Sequence, residues 1–314
     1  MKKKIYRFSK SLVKLILPLI SSILIKLRLN RRVINFLNEK SYFSNSKYNF
    51  TGILERLLKG KKILALDVGA QGGFNSDNFF PKKYNHFFEE ILIEPIASEA
   101  EKLKDKKFII NKGLWSKKEK KKLHIMDNRL GSSSMYEPNK DNFDLHNINK
   151  KDFDKFSITR SIEVECDTIT NQLAELNVKN LDYLKIDTQG SELEILKGIG
   201  NFRPLLIKLE AHIFSMYKNV PSWHLLINHL FELNYVLVDW KNIGNHNTRI
   251  SAEADLIFIP NFNNEIGKSL LKINKEKFLS LMLIFGQLKL LQIIMKKLEI
   301  NEEELEKLED KYFY

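Results

Sequence analysis

From residue 61 onward the chain alternates short apolar runs with segments of helical periodicity. KKILALDVG (61–69) predicts a strand that ends in a turn, ILIEP (91–95) a second strand and FIINKG (108–113) a third. Residues 121–126 and 162–166 alternate apolar and polar positions and predict additional strands. DYLKIDTQG (182–190) reads as a buried strand running into a loop, and PLLIKLEAH (204–212) as another. WHLLINHLFELN (223–234) has the spacing of a helix, followed by strands YVLVDW (235–240) and ADLIFIP (254–260). Strands that alternate with helices imply an α/β domain with a mostly parallel sheet and helices on both faces. The segment 127–160 is polar and rich in Asn, Asp and Lys; a loop of that length inside a domain is functional or mobile.

The two ends of the chain follow a different pattern. From about residue 268, KEKFLSLMLIFGQLKLLQIIMKKLE is apolar on nearly every side. It predicts helices packed on the main domain or in a homodimer interface, with membrane contact as the alternative. EEELEKLEDK follows as a charged, solvent-facing end. The first 32 residues hold ten basic side chains and no acid, and eleven uncharged residues lie between Lys14 and Lys26. That run is too short to cross a bilayer core of about 30 Å as a helix. It lacks the small-x-small cleavage site of a signal peptide. Residues 1–32 therefore predict a basic, partly apolar helix, kinked at Pro18, lying on an anionic membrane surface or packed on protein. The expected organisation is an arm (1–60), an α/β domain (61–262) and a helical extension (263–314).

Charge sharpens this division. The 314 residues carry a formal charge of +12, but residues 1–62 hold 16 Lys/Arg against Glu39 and Glu55. The remainder, 63–314, carries −2, so the body is close to neutral. Lysines outnumber arginines by 42 to 9, whereas nucleic-acid readers rely on Arg for bidentate contacts. No nucleic-acid partner is expected. One cysteine, Cys166, excludes a disulfide framework and any multi-cysteine metal site.

Candidate chemistry gathers at the ends of the predicted strands. In LALDVGAQGGF (64–74) a strand ends at Asp67, and Gly69, Gly72 and Gly73 predict a tight turn into a helix. Glycines there let a ligand approach the backbone, and a helix start offers free N–H groups. The pattern is G-x-x-G-G, not G-x-G-x-x-G, and Asp67 suits a cationic or zwitterionic ligand better than a pyrophosphate. Glu94, at the end of the next strand, is placed to accept the two hydroxyls of a ribose. A nucleoside cofactor site follows, with S-adenosylmethionine favoured over NAD. In DYLKIDTQGSELEILKG (182–198), Ser191 and Glu194 predict an S-x-x-E capping box and Gly198 a helix stop. Asp187 is left over at the carboxyl end of a strand, where open α/β sheets bind ligands.

The segments LDVGAQGG, ILIEP, NKGLWS, GSSSM, ECDTIT and above all DYLKIDTQGSELEILKG, in this order and spacing, resemble the FkbM-type family of S-adenosylmethionine-dependent methyltransferases. The resemblance spans roughly 61–262. It implies a Rossmann-like, seven-stranded methyltransferase sheet whose last strand is antiparallel. It also implies a cytoplasmic active site and O-methylation of a hydroxyl on a saccharide, glycolipid or similar small molecule. Asp67, Gly69, Ala70 and Gly72 are the expected cofactor-loop positions and Glu94 the ribose-binding acid; Asn111 is a candidate adenine-side contact. Gln71-Gly72-Gly73 departs from the family's usual Asn-hydrophobic-Gly run.

Methyl transfer to a hydroxyl needs alignment and a destination for the proton. Asp187, Glu210 and His212 are the candidate catalytic residues, with His212 or Asp187 as base and Glu210 as its orienting partner. Alternation along PLLIKLEAH puts Glu210 and His212 on one side of the strand. These three could also hold a divalent ion, but their spacing is not diagnostic and no metal is expected. Ser132, Ser133 and Ser134 are possible pocket residues. His86, His124, His146, His224, His229 and His246 show no ligand spacing. Two other readings compete: a non-catalytic interaction module on a methyltransferase fold, and an NAD-dependent oxidoreductase, which lacks its glycine fingerprint here.

Overall fold

The computed structural model describes residues 49–146, 148–241 and 252–308, together with six residues of the arm, 19, 20, 22, 23, 26 and 27. The expected kink at Pro18, most of the membrane-surface helix and His246 lie outside the described residues. Phe50–Asp310 form one compact unit. Its elements are α1 (Thr51–Leu58), β1 (Ile63–Val68), β2 (Phe88–Ile93), α2 (Ala97–Glu101), β3 (Phe108–Ile110), β4 (Gly113–Leu114), β5 (Glu119–Ile125), β6 (Arg160–Asp167), α3 (Ile169–Glu175) and β7 (Tyr183–Ile186). These are followed by α4 (Glu192–Lys197), β8 (Leu206–His212), α5 (Trp223–Glu232), β9 (Tyr235–Lys241), β10 (Glu253–Pro260), α6 (Glu265–Ile273), α7 (Lys275–Ile284), α8 (Leu288–Leu298) and α9 (Glu303–Glu306).

Seven strands form one sheet in the order β3-β2-β1-β7-β8-β10-β9. The strands β3, β2, β1, β7 and β8 are parallel, and β10 runs antiparallel to both β8 and β9. The sheet is the Rossmann-like arrangement expected of a methyltransferase, with its last strand reversed. The segments predicted at 121–126 and 162–166 are strands, but not of this sheet. They belong to β5 and β6, which pair antiparallel in a separate three-stranded sheet of order β4-β6-β5.

The two faces of the main sheet are built on different chemistry. Alternation sends Leu66, Val68, Ile91, Ile93, Leu184, Ile186, Ile207, Leu209, Leu256 and Phe258 to one face. There they are buried with Ile169 and Leu173 of α3, Leu193, Ile195 and Leu196 of α4, and Leu226, Ile227 and Leu230 of α5. Each such side chain contributes about 1.5–3 kcal/mol on burial. The opposite face mixes aromatic, aliphatic and charged positions. Tyr183 meets Phe80 and Phe285, and Phe80 stacks on Phe88. Phe285 follows α7, whose residues Phe278–Ile284 are all buried. Further along, this face carries Asp67, Lys185, Lys208, Glu210 and His212, with Asp67, Glu210 and His212 toward the carboxyl ends of their strands.

The segment 127–160 is neither structureless nor wholly polar in its packing. It contains three short 3-10 turns, Asp127–Ser132, Lys140–His146 and Lys150–Phe156. Phe143 and Phe156 are buried in a small core with Met126, Met216 and Tyr217.

Candidate functional site

The chain leaves β1 toward β2 and β3 on one side and returns through β7 toward β8 on the other. Loops after β1 and β7 therefore diverge and open a crevice at the carboxyl ends of both strands. A cleft lies there, holding about 890 Å³ of non-protein space with its solvent mouth included. Its walls include Gly69, Gln71, Asp77, Glu94, Ser133, Lys185, Asp187, Gln189 and Ser191.

Gly69 sits where the two strand ends come closest. Its φ is +80°, and a Cβ would lie 2.0 Å from the carbonyl oxygen of Asp187. Only glycine fits. Its N–H and that of Ala70 both donate to the carbonyl of Ile93, at 3.1 and 3.0 Å. Those two N–H groups are thus engaged within the protein. The helix expected after the glycine loop does not form. Residues 70–81 are a series of turns, with Asn75 and Asn78 at positive φ and Pro81 at the end. Phe74 and Phe80 drop from these turns onto Phe88, and Asp77 reaches over the charged part of the sheet.

There, register places Asp67, Lys185 and Lys208 side by side on β1, β7 and β8. Asp67 is fully buried, with Lys185 Nζ 3.1 Å from Oδ1 and 3.9 Å from Asp187 Oδ2. The Asp67 contact is an ion pair without the direction of a hydrogen bond. Lys208 Nζ lies 2.7 Å from Asp77 and 2.9 Å from Asp255. Burial opposes the charge on both lysines, but their carboxylate neighbours outweigh it and hold both above the ordinary lysine value. Burial raises Asp67, which Lys185 offsets only in part. Burial also works against the Asp77 carboxylate, yet Lys208 and Lys185 bring it below the usual range.

Glu94 follows β2 and lies in the cleft wall. Its Oε1 accepts the Ile96 N–H at 2.9 Å, and Asn111 Nδ2 donates to its carbonyl at 2.8 Å. Burial pushes the carboxyl up to about 7 despite the Ile96 bond. Asn111 holds Glu94's backbone and is not among the cleft's lining residues; neither are Asp67, Ala70 and Gly72. Asp67 and Ala70 are buried beneath the cleft, and Gly72 takes φ +78° within the turn.

The turn after β7 is organised by a residue the sequence pattern passed over. Glu192 Oε1 accepts the N–H groups of Thr188 and Gly190 and the Thr188 hydroxyl, at 3.0, 3.2 and 3.0 Å. The predicted capping box is absent. Ser191 makes no side-chain cap bond and its buried hydroxyl has no partner among the described residues, while Glu194 binds Ser116 and Lys197. Gly198 does end α4, and glycine is needed because a Cβ would lie 2.5 Å from the Trp115 carbonyl.

Of the expected catalytic trio, Asp187 lines the cleft and Glu210 and His212 do not. Gln189 joins them: its Nε2 lies 2.8 Å from Glu210 Oε2 and 3.3 Å from Asp187 Oδ1. Tyr217 donates to Gln189 Oε1 at 2.9 Å, and Ser134 donates to the Gln189 carbonyl at 2.7 Å. Glu210 Oε2 and His212 Nε2 are 3.4 Å apart. Burial, reinforced by Asp187 and Glu253, raises the Glu210 carboxyl well above its usual range, and burial lowers His212 to about 4. Glu253 and His146 flank the pair, 3.5 Å from each other. Neither stood out in the sequence, because only the pairing of β10 with β8 sets Glu253 opposite His212. Cys166 is buried and reduced, its thiol pushed up to about 11 by burial.

No curated protein matches this chain. The family model for the methyltransferase FkbM domain matches residues 67–237, a span that begins at Asp67 and includes the cleft and its charged floor. It covers more than half of the 314 residues, and the chain therefore belongs to the methyltransferase FkbM domain family.

Proposed function

We propose that this methyltransferase uses S-adenosylmethionine to methylate a hydroxyl of a saccharide or a related small molecule. The carrying observation is the charge of the cleft wall: three carboxylates, Asp77, Glu94 and Asp187, face one cation, Lys185. Lys185 is already paired with Asp67. Such a wall repels a pyrophosphate and favours a ligand with cationic and hydroxyl-donor groups, which argues against NAD. Glu94 would take the ribose hydroxyls, and the turn at Gly69 and Gln71 would hold the amino-acid end. When bound, S-adenosylmethionine supplies a methyl group already activated by its sulfonium. The protein's part is alignment and proton handling. Asp187 is the residue of the trio that lines the cleft, which supports it as the group receiving the hydroxyl proton. Gln189 fixes its carboxylate from behind.

Titration calorimetry tests the cofactor. Micromolar binding of S-adenosylmethionine and S-adenosylhomocysteine, lost in Glu94→Ala with the fold intact, is the expected result. Binding of NAD instead would sink the reading, and binding of none of the three would favour an interaction module. Mass spectrometry of a saccharide panel after incubation then tests the acceptor through the gain of one methyl group.

The N-terminal arm supports an acceptor met at a membrane surface. Leu19, Ile20, Ile23 and Leu27 expose their side chains within a segment of ten basic residues and no acid. Among the described residues no helix is long and apolar enough to cross a membrane. Flotation with anionic vesicles, undiminished on deletion of residues 1–32, would remove this part of the proposal.

A further inference from the structure

The pairing of β8 with β10 assembles a set of donors that the sequence does not display. Residues 208, 210 and 212 of β8 share one face, and Glu253 and Asp255 of β10 stand opposite His212 and Glu210 on it. Asp255 is bound to Lys208. The others, Glu210, His212 and Glu253, each offer one ligand atom, and these atoms all lie within 4.8 Å of one another. Donors around one small dication at about 2.1 Å are separated by at most about 4.2 Å. Glu210 Oε2 and His212 Nε2, 3.4 Å apart, already fall inside that limit.

Three features point to a cation rather than to an ordinary polar cluster. The His212 side chain is 1% exposed, and among the described residues neither ring nitrogen has a hydrogen-bond partner. An unpaired buried imidazole is costly unless something else occupies its lone pair. His146 lies with Nε2 2.6 Å from the Phe214 carbonyl, so that nitrogen carries the proton, and its Nδ1 faces Glu253 Oε2 at 3.5 Å. A ring nitrogen fixed on a backbone carbonyl with the other turned toward the donor set is the outer-shell arrangement of metal-binding histidines. Glu210 is oriented in the same manner, by Gln189, which Tyr217 holds in turn. Lastly, the Glu253 side chain is 44% exposed, which leaves an entry path from solvent.

We infer that Glu210, His212 and Glu253, with His146 as the adjoining fourth donor, form a binding site for a divalent transition-metal ion. Imidazole with carboxylate suits Zn²⁺, Mn²⁺, Fe²⁺ or Co²⁺ better than Mg²⁺ or Ca²⁺, which favour all-oxygen sites. The inference rests on these residues alone and does not depend on the methyl-transfer reading.

The test is titration of the full-length protein, stripped with a chelator, with Co²⁺ and Zn²⁺ by calorimetry and Co²⁺ visible absorption, with Mg²⁺ as comparator. One equivalent of Co²⁺ or Zn²⁺ is expected at micromolar affinity or better, with Mg²⁺ at least tenfold weaker. Glu253→Gln and His212→Ala should each weaken Co²⁺ binding at least tenfold. His86→Ala with His224→Ala, on exposed rings, should not. Since His212 is buried, thermal unfolding checks that variant, and the partly exposed Glu253 supplies the arm that keeps its fold. Absence of binding to the wild type, or binding indifferent to Glu253→Gln and His212→Ala, would overturn the inference.

Discussion

Two charged clusters share one face of the sheet, a few residues apart on β8, and they are completed in opposite ways. Around Lys185 and Lys208 the carboxylates Asp67, Asp77, Asp187 and Asp255 have cations supplied by the chain itself. Around His212 the acids Glu210 and Glu253 have imidazoles as their ion-pair neighbours among the described residues, with the Gln189 amide on Glu210. The lysine cluster floors the cleft and fixes the turn that carries Asp77 over the sheet. The histidine cluster is joined to the cleft wall by Gln189, which donates to Glu210 at 2.8 Å, and burial favours the uncharged forms of Glu210 and His212. Buried charge costs several kcal/mol unless it is matched. The first cluster is therefore scaffolding that holds a cleft in shape, and the second is the donor set for which we infer a metal ion.

Removing a cation from the lysine cluster is the harshest test of that contrast. Lys208→Met leaves Asp77 and Asp255 without their shared partner. The expected loss is about 3–5 kcal/mol of stability, the usual consequence of breaking a buried pair by one member. Urea unfolding at pH 7 measures it. A loss under about 1 kcal/mol would mean that the pair is solvated and the scaffold role is wrong. Next in size is Gly69→Ala, where the cleft meets the floor. The added Cβ meets the Asp187 carbonyl at 2.0 Å in a left-handed conformation. A loss above about 2 kcal/mol is expected, from strain and from prising β1 and β7 apart.

How far the sequence foretold these clusters follows from the range over which each feature is encoded. Strands appear as apolar runs, and the turn at Gly69 and the ligand-binding end of β7 are written within a dozen residues each. The mostly parallel sheet follows from strands that alternate with helices, while its seven strands and the reversed β10 came with the family resemblance. What the pattern missed depends on competition or on distant pairing. Residues 70–81 looked like the start of a helix. However, Asn75 and Asn78 adopt positive φ, and Phe74 and Phe80 gain more by covering Phe88 than a helix would allow. Ser191 and Glu194 spelled a capping box, yet Glu192, two residues closer to Gly190, captures the loop's N–H groups first. Lys185 and Lys208 look like ordinary polar positions in a strand until the register sets them beside Asp67. Glu253 becomes a neighbour of His212 only through β10, 41 residues later in the chain.

A smaller effect probes the open side of the lysine cluster, where Glu94 lines the cleft. Its carboxyl is raised from an ordinary value near 4.5 to about 7. A raised folded pKa contributes stability that is complete below about 4.5 and is lost as pH rises through about 7. The ligand-free protein should therefore lose stability from this group across that window. S-adenosylmethionine binding runs the other way, because ribose hydroxyls need the ionised form as acceptor. Its affinity should fall toward tenfold per pH unit below about 7, and Glu94→Gln should abolish that slope. A flat wild-type profile, with binding intact, would remove Glu94 from the ribose contact.

The smallest effect separates the clusters most cleanly, because its sign should reverse. In metal-free protein, Glu253→Gln removes a carboxylate from beside Glu210, whose own carboxyl is already raised in part by that neighbour. The variant also gives up the 3.5 Å contact with His146, a partly exposed interaction of at most about 1 kcal/mol. The two terms nearly cancel, and the expected change is within about 1 kcal/mol and toward greater stability. With saturating Co²⁺ the wild type should gain from linkage, by about 2.7 kcal/mol at a hundred times the dissociation constant, and the variant should gain less. Thermal unfolding with and without the ion gives both numbers from one preparation. If Glu253→Gln instead costs metal-free protein as much as Lys208→Met does, the histidine cluster is closed scaffolding like its neighbour, and the contrast between the two disappears.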